Sequence, residues 1–103
     1  MKSQRGYRVI AELSVHPIGQ GTSVGRYVKA AVDSLKKASG VRLMVTPMGT
    51  AMEAADLEDV LAAVRAAHES VFKNGAKRVA FTLTVDDRRD KKRRMEDKIA
   101  AVA

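Results

Sequence analysis

The 103-residue chain has no cysteine and no tryptophan, only four aromatic residues, two prolines, and no long apolar run. The missing cysteine excludes disulfides, thiolate metal sites and cysteine nucleophiles together, and it suits a reducing compartment. No stretch approaches the roughly 18 apolar residues of a membrane span, and Met1 to Tyr7 is polar, without the apolar centre of a signal peptide. The expectation is a soluble, cytoplasmic protein with a flexible N-terminus over residues 1–7. One domain over residues 1–103 fits the usual size of roughly 100–150 residues.

What the chain does have is charge: 19 Lys or Arg against 12 Asp or Glu, a net +7. Such a surplus makes nucleic acid a candidate partner if it is clustered. Residues 2–8 carry +3, residues 26–42 carry +4, residues 53–69 carry −4, and residues 73–78 carry +3. The stretch from Asp86 to Lys98 nets only +2 despite seven basic groups. The charge is therefore split into separate patches around an acidic segment.

Between Arg8 and His16, Val9, Ala11, Leu13 and Val15 alternate with Ile10, Glu12, Ser14 and His16, the period of a strand. Gly19 and Gly21 break it. Val24, Tyr27, Val28, Ala31 and Leu35 then recur at helical spacing up to Gly40, with Thr22 or Ser23 as the expected N-cap. Val41, Leu43 and Val45 alternate again, and Pro47-Met48-Gly49 supplies turn chemistry before an extended stretch from Thr50 to Ala54, which reads as a hairpin. Asp56 is expected to cap a second helix with a buried stripe of Leu57, Val60, Leu61, Val64, His68, Val71 and Phe72, closed by Asn74-Gly75. The last strand, Arg78 to Val85, presents Val79, Phe81, Leu83 and Val85 to the core. Residues 86–103 form a charged tail with a short helix marked by Met95, Ile99 and Val102.

The order βαββαβ with right-handed crossovers is an α+β ferredoxin-like sandwich: a four-stranded antiparallel sheet, two helices on one face, plus a short C-terminal helix. The other sheet face is bare, so a homo-oligomer is expected. The loop after strand one is expected at one end of the sheet with the start of helix two, and Pro47-Met48-Gly49 with the exit at Asp86 at the other. On that arrangement a site using both ends has to lie between subunits.

Catalytic patterns are absent. His16 and His68 fall on different elements, and neither a Ser-His-Asp nor an HExxH arrangement exists, so no catalytic residue and no metal site is indicated. His68 reads as a core histidine and His16 as a strand-end residue open to a ligand. The loop Gly19 to Gly25 lacks both the dinucleotide and the P-loop pattern, leaving a helix N-terminus able to hold a polar group, or a plain turn. Glu12 and Glu53 fall on the central strands, on the face away from the helices. Their partner is either an arginine, from Arg42, Arg78 or a neighbour's Arg88, or a cationic or amino-bearing ligand. RNA recognition through this fold needs aromatic side chains on the central strands, and none is there.

Several strings together carry a resemblance: Glu12-Leu13-Ser14-Val15 followed by Pro17, Gly21-Thr22-Ser23-Val24, Thr46-Pro47-Met48-Gly49-Thr50, Glu58-Asp59-Val60-Leu61, Gly75-Ala76-Lys77-Arg78-Val79 and Asp86-Asp87-Arg88-Arg89-Asp90. From about Val9 onward the chain resembles the YkoF-like family of small thiamine-binding proteins. The resemblance implies the same ferredoxin-like fold, association through sheets into dimers or tetramers, and a non-enzymatic role in binding thiamine or its hydroxymethylpyrimidine moiety, with no catalytic cofactor. It implies a pocket of Ser14, Ser23, Thr46, Met48, Thr50 and Glu53, with Glu12 as a further carboxylate. The alternatives are a basic nucleic-acid-binding module using Arg88 to Lys98, less expected, and a structural or regulatory oligomer without a ligand.

Overall fold

The alternation near the start of the chain becomes β1 (Val9–Pro17), and α1 (Gly25–Lys36), β2 (Val41–Thr46), β3 (Gly49–Ala54), α2 (Leu57–Lys73), β4 (Val79–Asp87) and α3 (Met95–Val102) follow. The computed structural model describes residues 8–103, so the segment expected to be flexible, 1–7, lies outside the described residues. The strands form one antiparallel sheet in the order β2-β3-β1-β4, with β1 and β3 in the centre, as the ferredoxin-like reading requires.

Period-two alternation sends Val9, Ala11 and Leu13 of β1 and Met52 and Ala54 of β3 to the helical side, where all five are buried. There they meet Tyr27, Ala31 and Leu35 of α1 and Val60, Val64 and Val71 of α2. The expected stripe of α2 is rotated in the structure. Ala63 and Ala67 are buried, whereas Leu57, Leu61 and Phe72 are 36–44% exposed and His68 is half-exposed. Small alanines let α1 approach α2 closely, so burial shifts to that flank, and the opposite flank overlooks the sheet edge. Ser70 Oγ, 3.2 Å from Ala30 O, bridges the two helices on the alanine side.

One helix start differs from expectation and the other agrees with it. At α1 the cap position is Val24, whose carbonyl accepts from Tyr27 N–H at 3.0 Å and Val28 N–H at 3.2 Å. Gly19 and Gly21, both at positive φ, carry the chain one residue further before the helix begins, leaving Thr22 and Ser23 outside it. At α2 Asp56 holds the cap position without a side-chain capping bond; its carboxylate lies 3.4 Å from Arg8.

The strand register corrects the expected arrangement of ends. Leu13 pairs with Thr50 and Val9 with Ala54, because β3 runs antiparallel to β1 and must begin where β1 ends. The hairpin at Pro47-Met48 therefore sits beside the loop after β1, while the start of α2 shares the other end with the exit of β4, where Val9 pairs with Asp87. A site that joins β1 to the hairpin fits within one chain.

The face away from the two long helices carries Ile10, Glu12, Ser14 and His16 of β1, Ala51 and Glu53 of β3, Arg42 and Met44 of β2, and Thr82 and Thr84 of β4. It is partly covered. From Asp87 the chain returns across one end, and α3 inserts Met95, 4% exposed, against that end. Ile99 and Val102 remain exposed.

Candidate ligand-binding site

At the hairpin end a cavity of about 270 Å³ opens between α1 and the sheet. Leu13, Val15 and Thr50 face α1 across it, Ser14 and His16 border it where β1 runs past the hairpin, with their side chains on the face away from the helices, and Thr46 and Met48 of the hairpin close its end; Val28 and Val32 of α1 form much of the opposite wall. The register explains the gathering. β3 starts level with Leu13, so the last residues of β1 run on beside the turn, and the hairpin folds over the space this leaves.

The polar side chains here are hydroxyls and one imidazole. Ser14 Oγ and His16 Nε2 are 3.1 Å apart. Thr46 Oγ1 donates to Gly49 O at 2.9 Å and accepts from Met48 N–H at 3.4 Å, which orders the turn. Thr50 is buried, and Met48 at the tip is 83% exposed. The lining has no Asp, Glu, Lys or Arg. Branched aliphatic side chains, a thioether and a few hydroxyls suit a small flat ligand with hydrogen-bonding edges, since binding cavities combine an apolar wall with a few placed polar groups. A methionine sulfur supplies a polarizable surface for a ring where no aromatic is available.

Gly49 sets the approach of the hairpin to β1. A Cβ there would stand 3.0 Å from Leu13 O and 3.4 Å from Glu12 Cγ. Glu12 thus lies beside the turn on the bare face, exposed and with no ion-pair partner among the described residues. Ser23 is exposed in the loop before α1 and does not line the cavity.

Glu53, three residues beyond Thr50 on β3, is somewhere else entirely. Its carboxylate has no exposed surface and accepts hydrogen bonds from Arg42 Nε, from Arg94 Nη2 at 2.9 Å and from Met95 N–H at 2.8 Å. Arg42 also holds Glu96. Burial disfavours the charged form of Glu53, yet the bonds from Arg42, the Met95 N–H and Arg94 prevail and hold its pKa below the ordinary carboxylate value. Of the alternatives for this residue, the structure shows the arginine partner, within the chain.

The structure thus brings together Ser14, Thr46, Met48 and Thr50, leaves Glu12 beside the turn, and sets Ser23 and Glu53 apart. His16 and the valines of α1 complete the lining. The signal for His16 was its parity: it is two residues from Ser14 on the same face. A broader valley of about 750 Å³ between α1 and α2 is lined by charged helix surface, in which Lys29 pairs with Asp33 at 2.6 Å. Among the described residues no group of three His, Cys, Asp or Glu stands ready for a metal ion, and no helix is long and apolar enough to cross a membrane.

Comparison with known proteins agrees with this architecture. A UPF0045 protein of Methanothermobacter thermautotrophicus is 48% identical over 95 residues, covering 91% of this chain and 95% of the relative. The crystal structure of MJ1052 from Methanocaldococcus jannaschii, 39% identical, superposes with a TM-score of 0.83 over 91% of this chain and 94% of its own. A Thermotoga maritima protein with a suggested part in thiamine biosynthesis or salvage shares the fold at a TM-score of 0.75 and 19% identity, covering 92% of this chain and 98% of its own. The family model described as thiamine-binding protein matches residues 11–103, and the chain belongs to that family.

Proposed function

We propose that this protein is a non-enzymatic, cytoplasmic, oligomeric binder of thiamine or its hydroxymethylpyrimidine moiety, and that the hairpin cavity holds the pyrimidine. The observation that carries the reading is the convergence of Ser14, Thr46, Met48 and Thr50 on one cavity in a chain of the thiamine-binding family. An aminopyrimidine presents a donor and ring acceptors at its edge, matched by hydroxyls that both donate and accept. Its faces contact Met48 and the α1 valines. Glu12, beside the turn and outside the cavity lining, faces the cationic thiazolium of whole thiamine, and Ser23, apart from the cavity, is not assigned to the ligand. Glu53 anchors the C-terminal helix away from the site, and its carboxylate is not assigned to the ligand.

The runner-up, nucleic-acid binding through Arg88 to Lys98, loses support from the ion pairs that engage four basic groups of that segment. Arg88 holds Asp90 at 2.7 Å, Arg89 holds Asp87 at 3.0 Å, Arg94 holds Glu53 and Lys98 holds Asp86 at 2.9 Å. Phosphate contacts would have to displace these carboxylates.

Calorimetric titration with thiamine and with hydroxymethylpyrimidine tests the reading. Saturable heat with both, abolished or strongly weakened by blocking the cavity with Val32→Trp, is expected. Binding that Val32→Trp leaves untouched would place the ligand elsewhere.

A further inference from the structure

We propose that Met48 is an oxidation site that controls the affinity of the hairpin cavity: a peroxide converts its thioether to the sulfoxide, which weakens ligand binding, and reduction restores it. The inference rests on the ligand reading above and adds a redox dependence to it.

The chain has neither cysteine nor tryptophan, which leaves methionine sulfur as its readily oxidised group. Of the five methionines, Met1 lies outside the described residues. Met52 is fully buried and Met95 is 4% exposed. Met44 is half-buried on β2. Met48 is 83% exposed at the tip of the hairpin. Susceptibility to oxidation follows exposure, so among the described methionines a dissolved peroxide reaches Met48 first.

Position turns that exposure into a functional matter, because Met48 also closes the end of the cavity. Thr46 Oγ1 donates to Gly49 O at 2.9 Å and accepts from Met48 N–H at 3.4 Å. The turn therefore holds the backbone of Met48 in place while its side chain stays open to solvent. Val28 and Val45, both exposed, make the lining around it apolar. A ring seated there meets a polarizable sulfur that asks for no hydrogen bond. That contact is what oxidation removes.

The step transfers one oxygen and two electrons. The sulfur lone pair attacks one oxygen of hydrogen peroxide, an S–O bond forms as the O–O bond breaks, and the second oxygen leaves as water with both protons. Sulfur is oxidised and the peroxide reduced. Reversal takes two thiols, supplied through a methionine sulfoxide reductase; they become a disulfide, and the oxygen departs as water. The chain holds no thiol of its own, so the sulfoxide persists until such a reductase acts.

A sulfoxide oxygen is a strong acceptor. At the open tip water satisfies it, and the fold is not disturbed. When a ligand closes over the tip that water is displaced, and Thr46 Oγ1, two residues away, already donates to Gly49 O. Leaving the oxygen without a partner is expected to weaken binding about tenfold. A bound ligand in turn covers the sulfur and slows its oxidation.

Graded treatment of the protein with dilute hydrogen peroxide, followed by peptide mapping and by calorimetric titration with hydroxymethylpyrimidine, tests the proposal. Met48 is expected to gain oxygen before Met44, Met52 and Met95, with an unchanged melting temperature and a dissociation constant about tenfold higher. Methionine sulfoxide reductases should restore the original affinity. Saturating hydroxymethylpyrimidine should slow the gain at Met48 and leave that at Met44 unaltered. In Met48→Leu the affinity, whatever its starting value, should no longer respond to peroxide; if that variant folds poorly, reductase recovery in the native chain decides instead. Oxygen appearing at Met44 as early as at Met48, an oxidised protein that binds as tightly as the untreated one, or a loss that the reductases do not reverse would overturn the proposal. Untreated protein that gives no heat with either hydroxymethylpyrimidine or thiamine overturns the ligand reading and this coupling together. Untreated and oxidised protein that bind equally well overturn the redox inference alone.

Discussion

The backbone N–H of Met95 donates to the buried carboxylate of Glu53 at 2.8 Å, tying the first residue of the C-terminal helix to a central strand 42 positions earlier. Two arginines complete the arrangement, Arg42 from β2 and Arg94 from the residue before α3. Met95 is the only residue of α3 that is buried, so the helix is held mainly by this carboxylate and by the flanking pairs Arg42–Glu96 and Lys98–Asp86. Glu53 is a structural anchor for the tail.

Removing its charge should release that anchor. Glu53→Gln leaves two partly exposed guanidinium groups facing a neutral amide, and losing charge-assisted hydrogen bonds to a buried carboxylate costs about 1.5–3 kcal/mol. Urea denaturation is expected to show a loss of about that size, with faster hydrogen exchange across residues 95–102. Unchanged exchange in α3 would contradict the anchoring role.

The same carboxylate makes the tail sensitive to acid. Its pKa is lower in the folded protein than the ordinary 4.5, because the bonds from Arg42, Met95 and Arg94 outweigh the effect of burial. The folded state therefore binds this proton less readily than the unfolded chain. The stabilisation is complete above the unfolded value and is lost as the pH falls through the folded one. Melting temperatures between pH 7 and pH 2 should drop in the acid range, and drop less steeply in Glu53→Gln.

The hairpin should tolerate little bulk at Gly49. A Cβ there meets the Leu13 carbonyl at 3.0 Å, and backbone cannot give way as a side chain can. Gly49→Ala is expected to cost about 1–3 kcal/mol, in the range of overpacked substitutions, and to weaken ligand binding by moving Thr46, Met48 and Thr50 together. Denaturation and titration of the same variant check both effects.

Within the cavity, Ser14→Ala removes the hydroxyl that lies 3.1 Å from His16 Nε2. The loss of one hydrogen bond, about 1 kcal/mol, corresponds to roughly a fivefold rise in the dissociation constant for hydroxymethylpyrimidine. Stability should change little, because the residue is only partly buried on a strand face.

Much of the fold was legible because periodicity carries it. The alternation of Val9, Ala11 and Leu13 against Ile10, Glu12 and Ser14 fixed which side of β1 meets the helices, and the bare face followed for Glu12 and Glu53 alike. Long-range relations were harder. That Arg94 and Met95 fold back onto Glu53 depends on the path of residues 88–94, where charge alternates without a period. The stripe of α2 departs from its apolar pattern at Leu57, Leu61 and Phe72 because apolar character alone does not reveal that Ala63 and Ala67 face the other helix. The cavity was half legible: its hairpin residues came from a resemblance, but their meeting with Ser14 in one chain required the strand register.

Titration of the purified protein with hydroxymethylpyrimidine and thiamine, beside Val32→Trp, tests the central claim most directly. The account predicts saturable binding with one ligand for each chain, lost or strongly weakened when the cavity is filled. No heat and no thermal stabilisation at millimolar concentrations of either compound would contradict it.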